Sequence, residues 1–73
     1  MDNYIVEIWE TQNKSKGYSP VFTANIILAV SPESPEMALR KALQENDFHK
    51  EVYAEVIWNN GHDRQKFENY SLS

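Results

Sequence analysis

Tyr4-Ile5-Val6-Glu7-Ile8-Trp9, apolar at every position but Glu7, is a run rich in the β-branched and aromatic types that pack on a pleated surface, and this predicts a first strand. The polar stretch Thr11 to Pro20, with Gly17 and Pro20 near its end, reads as a solvated loop. A second strand is predicted from about Val21 to Val30. Period-two counting puts Phe22, Ala24, Ile26, Leu28 and Val30 toward the core, with Thr23, Asn25 and Ile27 on the other side. The period then changes. Ser34 has the short hydroxyl side chain of a helix N-cap, Pro35 suits the first helical position, and Glu36 meets the positive end of the helix dipole. Pro35, Ala38, Leu39, Ala42 and Leu43 follow as one apolar stripe, with Glu36/Arg40 and Lys41/Glu45 spaced four apart on the wet side. Asn46-Asp47 ends the helix, and Phe48 is placed to close over the stripe.

Alternation returns from Glu51 to Trp58, with Val52, Ala54, Val56 and Trp58 against Tyr53, Glu55 and Ile57; Trp58 is therefore read as packing rather than recognition. Asn60-Gly61 is a hairpin signal, because both residues tolerate positive φ. A fourth strand from His62 to about Tyr70 has weak alternation. The expected fold class is α+β: a small antiparallel sheet with one helix packed on one face, in the order ββαβ with an optional last β. A single helix leaves the second sheet face open. On this register that face carries Ile5, Glu7, Trp9, Ile27, Tyr53, Glu55 and Ile57, more apolar surface than a monomer of this size normally shows, and these seven residues form the predicted partner-binding site.

Composition narrows the function classes. The 73 residues fit one domain. A chain this short buries only about 60–65% of its unfolded surface, so its core is small. With no cysteine, neither a disulfide framework nor a thiolate metal site is expected. Met1-Asp2-Asn3-Tyr4 has no basic leader character, and the longest aliphatic run, Ile26 to Val30, is far short of a membrane span, so the expectation is a cytoplasmic chain away from membranes. Seven basic residues against eleven acidic ones give a net charge of −4, which argues against direct nucleic-acid binding and suits steering toward a basic partner.

Candidate chemistry is sparse. His49 follows the helix end, and His62 sits beside Asp63 without a nucleophile motif, so no catalytic residue is assigned. An enzyme or ligand carrier would need a pocket at the sheet edge near Glu10, His62 and Asp63. Glu7, Glu10, Glu51 and Glu55 stand where carboxylates of neighbouring strands can pair, but calcium-loop, HExxH and phosphate-cradle spacings are lacking, and no metal or cofactor is assigned. Lys14 and Lys16 read as a solubilising loop tip, and the prolines after Ser19, Ser31 and Ser34 as turn and cap residues.

The run Tyr4 to Thr11, then Leu28-Ala29-Val30-Ser31-Pro32-Glu33 and the helix with Met37-Ala38, resembles very small phage- and plasmid-borne proteins, the DpnD/PcfM-like family and small anti-CRISPR proteins, over about the first two thirds of the chain. That resemblance implies a non-enzymatic protein that acts by occupying a host protein's functional surface, and it carries no catalytic residue across; the acidic charge balance, separately, suits a protein partner with a basic or nucleic-acid-binding surface. The alternative expectation is a homodimer or assembly subunit whose sheets pack face to face.

Overall fold

The computed structural model describes residues 3–11, 13, 16–29 and 33–72. It contains β1 (Asn3–Glu10), β2 (Phe22–Ile27), α1 (Pro35–Glu45), β3 (Val52–Trp58) and β4 (Asp63–Tyr70), in the order ββαββ. The four strands form one antiparallel sheet ordered β2-β1-β3-β4. β2 and β3 both flank β1 and therefore run parallel to each other, a relation that a tight hairpin cannot make. The β2–β3 connection must cross over β1, and α1 is that crossover.

The helix begins as its residue types dictate. Ser34 is extended (φ −152°), and its hydroxyl accepts from the Met37 amide at 3.2 Å, with Pro35 opening the first turn. At the other end Asp47 turns left-handed (φ 55°), so that the Phe48 amide reaches the Leu43 carbonyl at 3.0 Å and the Asp47 amide reaches Gln44 at 3.5 Å. This is the Schellman pattern, with aspartate where glycine is usual. It delivers Phe48 to Phe22 of β2, ring centres 5.6 Å apart, so Phe48 seals the β2 side of the stripe. Ala38, Leu39, Ala42 and Leu43 all lie buried on the sheet face made by Tyr4, Val6, Ile8, Ile26, Val52, Ala54 and Val56. Small alanines at successive turns let the helix approach the sheet, and each leucine removed from water contributes about 2 kcal/mol.

Of the predicted core set on the second strand, Ile26 and Leu28 are buried and Phe22 and Ala24 half-buried, while Val30 falls outside the described residues, as do Gln12, Lys14 and Ser15 of the predicted loop and Ser31-Pro32 before the helix. Asn60 (φ 55°) and Gly61 turn left-handed as the pair suggested, and the His62 amide bonds the Asn59 carbonyl at 3.0 Å across them; Asn59 (φ 55°) joins the left-handed run. The Gly61 amide bonds the Trp58 carbonyl at 3.1 Å, and Gly61 follows at φ 86°. The register is the one an Asn60-Gly61 turn would set, with the ladder beginning one pair later at Trp58↔Asp63.

The optional fourth strand is a full member of the sheet. A register shift opposite Val52/Ala54, with Asn69 at φ 51°, inserts one extra residue. Phe67 and Tyr70 thereby both face the helix side, their rings 5.5 Å apart. The Tyr70 hydroxyl donates to Glu36 Oε2 at 2.8 Å and accepts from Arg40 Nη1 at 3.1 Å, and Arg40 also donates to the Leu72 carbonyl at 3.5 Å. The chain after β4 thus tucks against the helix and leaves the opposite sheet face open.

Candidate functional site

Antiparallel partners share a face, so the register orders the open side into rows across the sheet. One row is Asn25, Ile5, Ile57 and Arg64; the next is Thr23, Glu7, Glu55 and Lys66; in the third, Trp9 faces Tyr53. All seven residues predicted for this face lie on it, and Ile27 joins as the diagonal neighbour of Ile5 through the Asn3↔Ile27 pair.

Their exposure corrects the expectation of a broad aromatic patch. Ile27 and Ile5 are exposed, at 54% and 37%, but Trp9, Glu55 and Ile57 are buried, at 5%, 3% and 9%. Trp9 is covered because the β1–β2 connection folds back on it: its indole Nε1 donates to the Tyr18 carbonyl at 2.7 Å, while its ring meets Tyr53 edge-on at 5.7 Å. Tyr18 itself lies exposed on the outside.

The centre of the face is polar, and Arg64 bridges its two carboxylates. Glu7 and Glu55 stand directly opposite each other on the two middle strands, an arrangement that repels unless compensated. Arg64 compensates it. Its guanidinium donates to Glu55 Oε1 and lies 4.0 Å from Glu7 Oε1, and the Tyr53 hydroxyl donates to Glu55 Oε2 at 3.3 Å. Burial, and secondarily the adjacent Glu55 charge, raises the Tyr53 phenol above its ordinary value, so it stays a donor through neutral pH. Among the described residues no buried side-chain nitrogen or oxygen lacks a partner. The carboxylate pair is fixed as a structural acceptor for Arg64.

Arg64 was absent from the predicted site. Its position was readable: extending the hairpin from Asn60-Gly61 sets Arg64 against Ile57 and Lys66 against Glu55, as found. Tyr18 carried no such signal, since irregular loops have no period.

The pocket imagined near Glu10, His62 and Asp63 does not form. Glu10 pairs with Val52 at one end of β3 and Asp63 with Trp58 at the other, about 20 Å apart at ~3.3 Å per residue. Glu10 accepts from Asn13 Nδ2 at 3.3 Å, Asp63 accepts from Asn59 Nδ2 at 3.1 Å, and His62 is exposed in the turn. His49 is also exposed, with Nε2 4.0 Å from Asp47. Where the open face meets the β3–β4 turn there is a recess of about 360 Å³ floored by Ile5 and Ile57 and rimmed by Asn3, Asn59 and Asn60. Among the described residues no three His, Cys, Asp or Glu side chains gather as metal ligands, and no helix is long and apolar enough to cross a membrane.

Compared with known proteins, the chain matches no family model, no curated protein and no solved structure.

Proposed function

We propose that this chain is a non-enzymatic protein-interaction module, an inhibitor or adaptor that holds another protein against its open sheet face. The observation that carries this reading is the exposed Ile27–Ile5 ridge, which runs into the recess floored by Ile57 and lies beside the Glu7–Arg64–Glu55 centre. An apolar ridge gives burial. A rigid, internally paired charged centre gives orientation without the cost of ordering side chains on binding. The partner chemistry that fits is a surface with an apolar prominence and basic surroundings, drawn by the net charge of −4.

The experiment is crosslinking in cells with a photoreactive residue at position 5 on the open face or at position 44 on the exposed side of α1. A partner trapped from position 5, not from position 44, and lost when Ile27→Glu is added supports the reading. Equal trapping from both positions, or none from position 5, overturns it.

A further inference from the structure

The sheet has two outer edges, and they are built differently. β4 carries Asp63, Arg64, Lys66 and Glu68 together with the bulge at Asn69, the devices that keep an edge from pairing with another strand. β2 has none of these. From Gly17 to Pro32 the chain contains no Asp, Glu, Lys or Arg, although charged residues make up 25% of the whole. The apolar residues of this segment are also incompletely covered: Val21 and Ile27 are more than half exposed, and Phe22 and Ala24 are only half-buried beneath the helix.

We infer that the free edge of β2 pairs with the same edge of a second copy of this chain, antiparallel about a two-fold axis at Ala24, joining two four-stranded sheets into one. The choice of a second copy rests on the self-matching of the strand. About Ala24, Val21 falls opposite the partner copy's Ile27, Phe22 opposite its Ile26 and Thr23 opposite its Asn25, and Ala24 meets itself. Apolar meets apolar, polar meets polar, and the smallest side chain sits on the axis. Moving the axis by one residue to Asn25 sets polar Thr23 against apolar Ile27 on each side of the axis, so polar and apolar positions match better about Ala24. Copies with a net charge of −4 repel, and the uncharged Gly17–Pro32 segment is where two of them approach at least electrostatic cost. Lys41 from α1 already donates to the Ile27 carbonyl at 3.4 Å, which marks the end of the pairing segment. Such a dimer keeps both helices on one side and both open faces on the other; it sets the partner copy's Val21 beside Ile27 at the margin of the proposed binding surface and leaves Ile5, Ile57 and the Glu7–Arg64–Glu55 centre uncovered.

Sedimentation across a wide concentration range tests the inference, with circular dichroism confirming the fold of each variant. Thr23 and Asn25 are exposed, and Thr23 faces Glu7 within the sheet, so lysine is tolerated there. The wild type should pass from monomer to dimer with concentration. Thr23→Lys with Asn25→Lys sets like charges across the axis twice and should weaken the dimer by about tenfold or more; Thr23→Lys with Asn25→Glu sets opposite charges there and should restore it. A wild type that stays monomeric overturns the inference, whether or not another protein's strand occupies the edge. A dimer that survives both double variants equally, or is lost in both, also overturns it. Ile5→Glu separates this result from the preceding proposal: it alters the open face and leaves the β2 edge intact, so partner trapping can fail while the dimer persists.

Discussion

Removing Arg64 tests whether the centre of the open face is held by charge compensation. With Arg64→Met the neighbouring surface stays covered while the cation that bridges both carboxylates is gone, and Glu7 and Glu55 face each other from the two middle strands with Lys66, opposite Glu55, as the remaining cation of their row. At a carboxylate separation of ~6 Å and an effective dielectric of ~20, their repulsion is about 3 kcal/mol. The partial exposure of Glu7 discounts that by about half, since water screens the charge. The lost charge-assisted hydrogen bond to the buried Glu55 contributes about 1.5–3 kcal/mol, and the side-chain freedom regained by the half-exposed Arg64 offsets part of it. A net loss of about 2–3 kcal/mol follows, against a total stability of about 4–11 kcal/mol for a chain of this length. The assay is urea unfolding followed by the fluorescence of Trp9 and Trp58. Adding Glu55→Gln to Arg64→Met removes one charge of the pair and keeps an acceptor for Tyr53, so it should recover most of the loss. An Arg64→Met protein within about 0.5 kcal/mol of wild type, the usual range for a surface substitution, or a double variant no better than the single, refutes the reasoning.

Asp47→Gly relieves the left-handed residue at the helix end and should raise stability by about 0.5–1 kcal/mol, read as a higher thermal midpoint; a lower midpoint means the aspartate side chain stabilises the turn. Tyr53 and Tyr70 are both raised above ordinary tyrosine, first of all by burial, so the unfolded chain ionises before the folded one. The stability they supply is complete below about pH 10 and is lost as the pH climbs through their folded-state values. Phenolate absorbance should therefore show Tyr53 and Tyr70 titrating later in the native protein than in denaturant, and coincident native and denatured curves would contradict this.

The helix and the strands β2 and β3 were legible because each carries one unbroken period, and β1 because its residues are mostly β-branched and aromatic. Ala38, Leu39, Ala42 and Leu43 could only be a helical stripe, and the alternation of Val52 to Trp58 fixed which side of β3 enters the core. The β4 pattern was weak for a physical reason: the extra residue at Asn69 breaks period two between Phe67 and Tyr70, both of which face the helix. The membership of the open face was readable from the same alternation. Its exposure was not, because that depends on contacts between distant segments, with Tyr18 reaching Trp9 from a loop and Arg64 reaching Glu55 and Glu7 from the far side of a hairpin. Counting along a strand assigns a side chain to a side and says nothing of what leans over it.

The strand order has a consequence for how the chain reaches its fold. β1 leaves the ribosome before the other three strands of its sheet, yet it lies in the interior of the sheet, and the residues that pair it with β3, from Glu10 with Val52 to Ile5 with Ile57, lie more than forty positions later in the chain. The two hairpins are local and close quickly, whereas joining them through β1 and β3 encloses the whole helix in one long loop, and that closure sets the folding rate. Until it happens β1 has one unsatisfied edge and an uncovered apolar face. No shorter piece of the chain contains a finished core, so the molecule folds as a single cooperative unit, and a nascent chain halted before β3 presents the same unpaired backbone that the completed sheet keeps only at its margins.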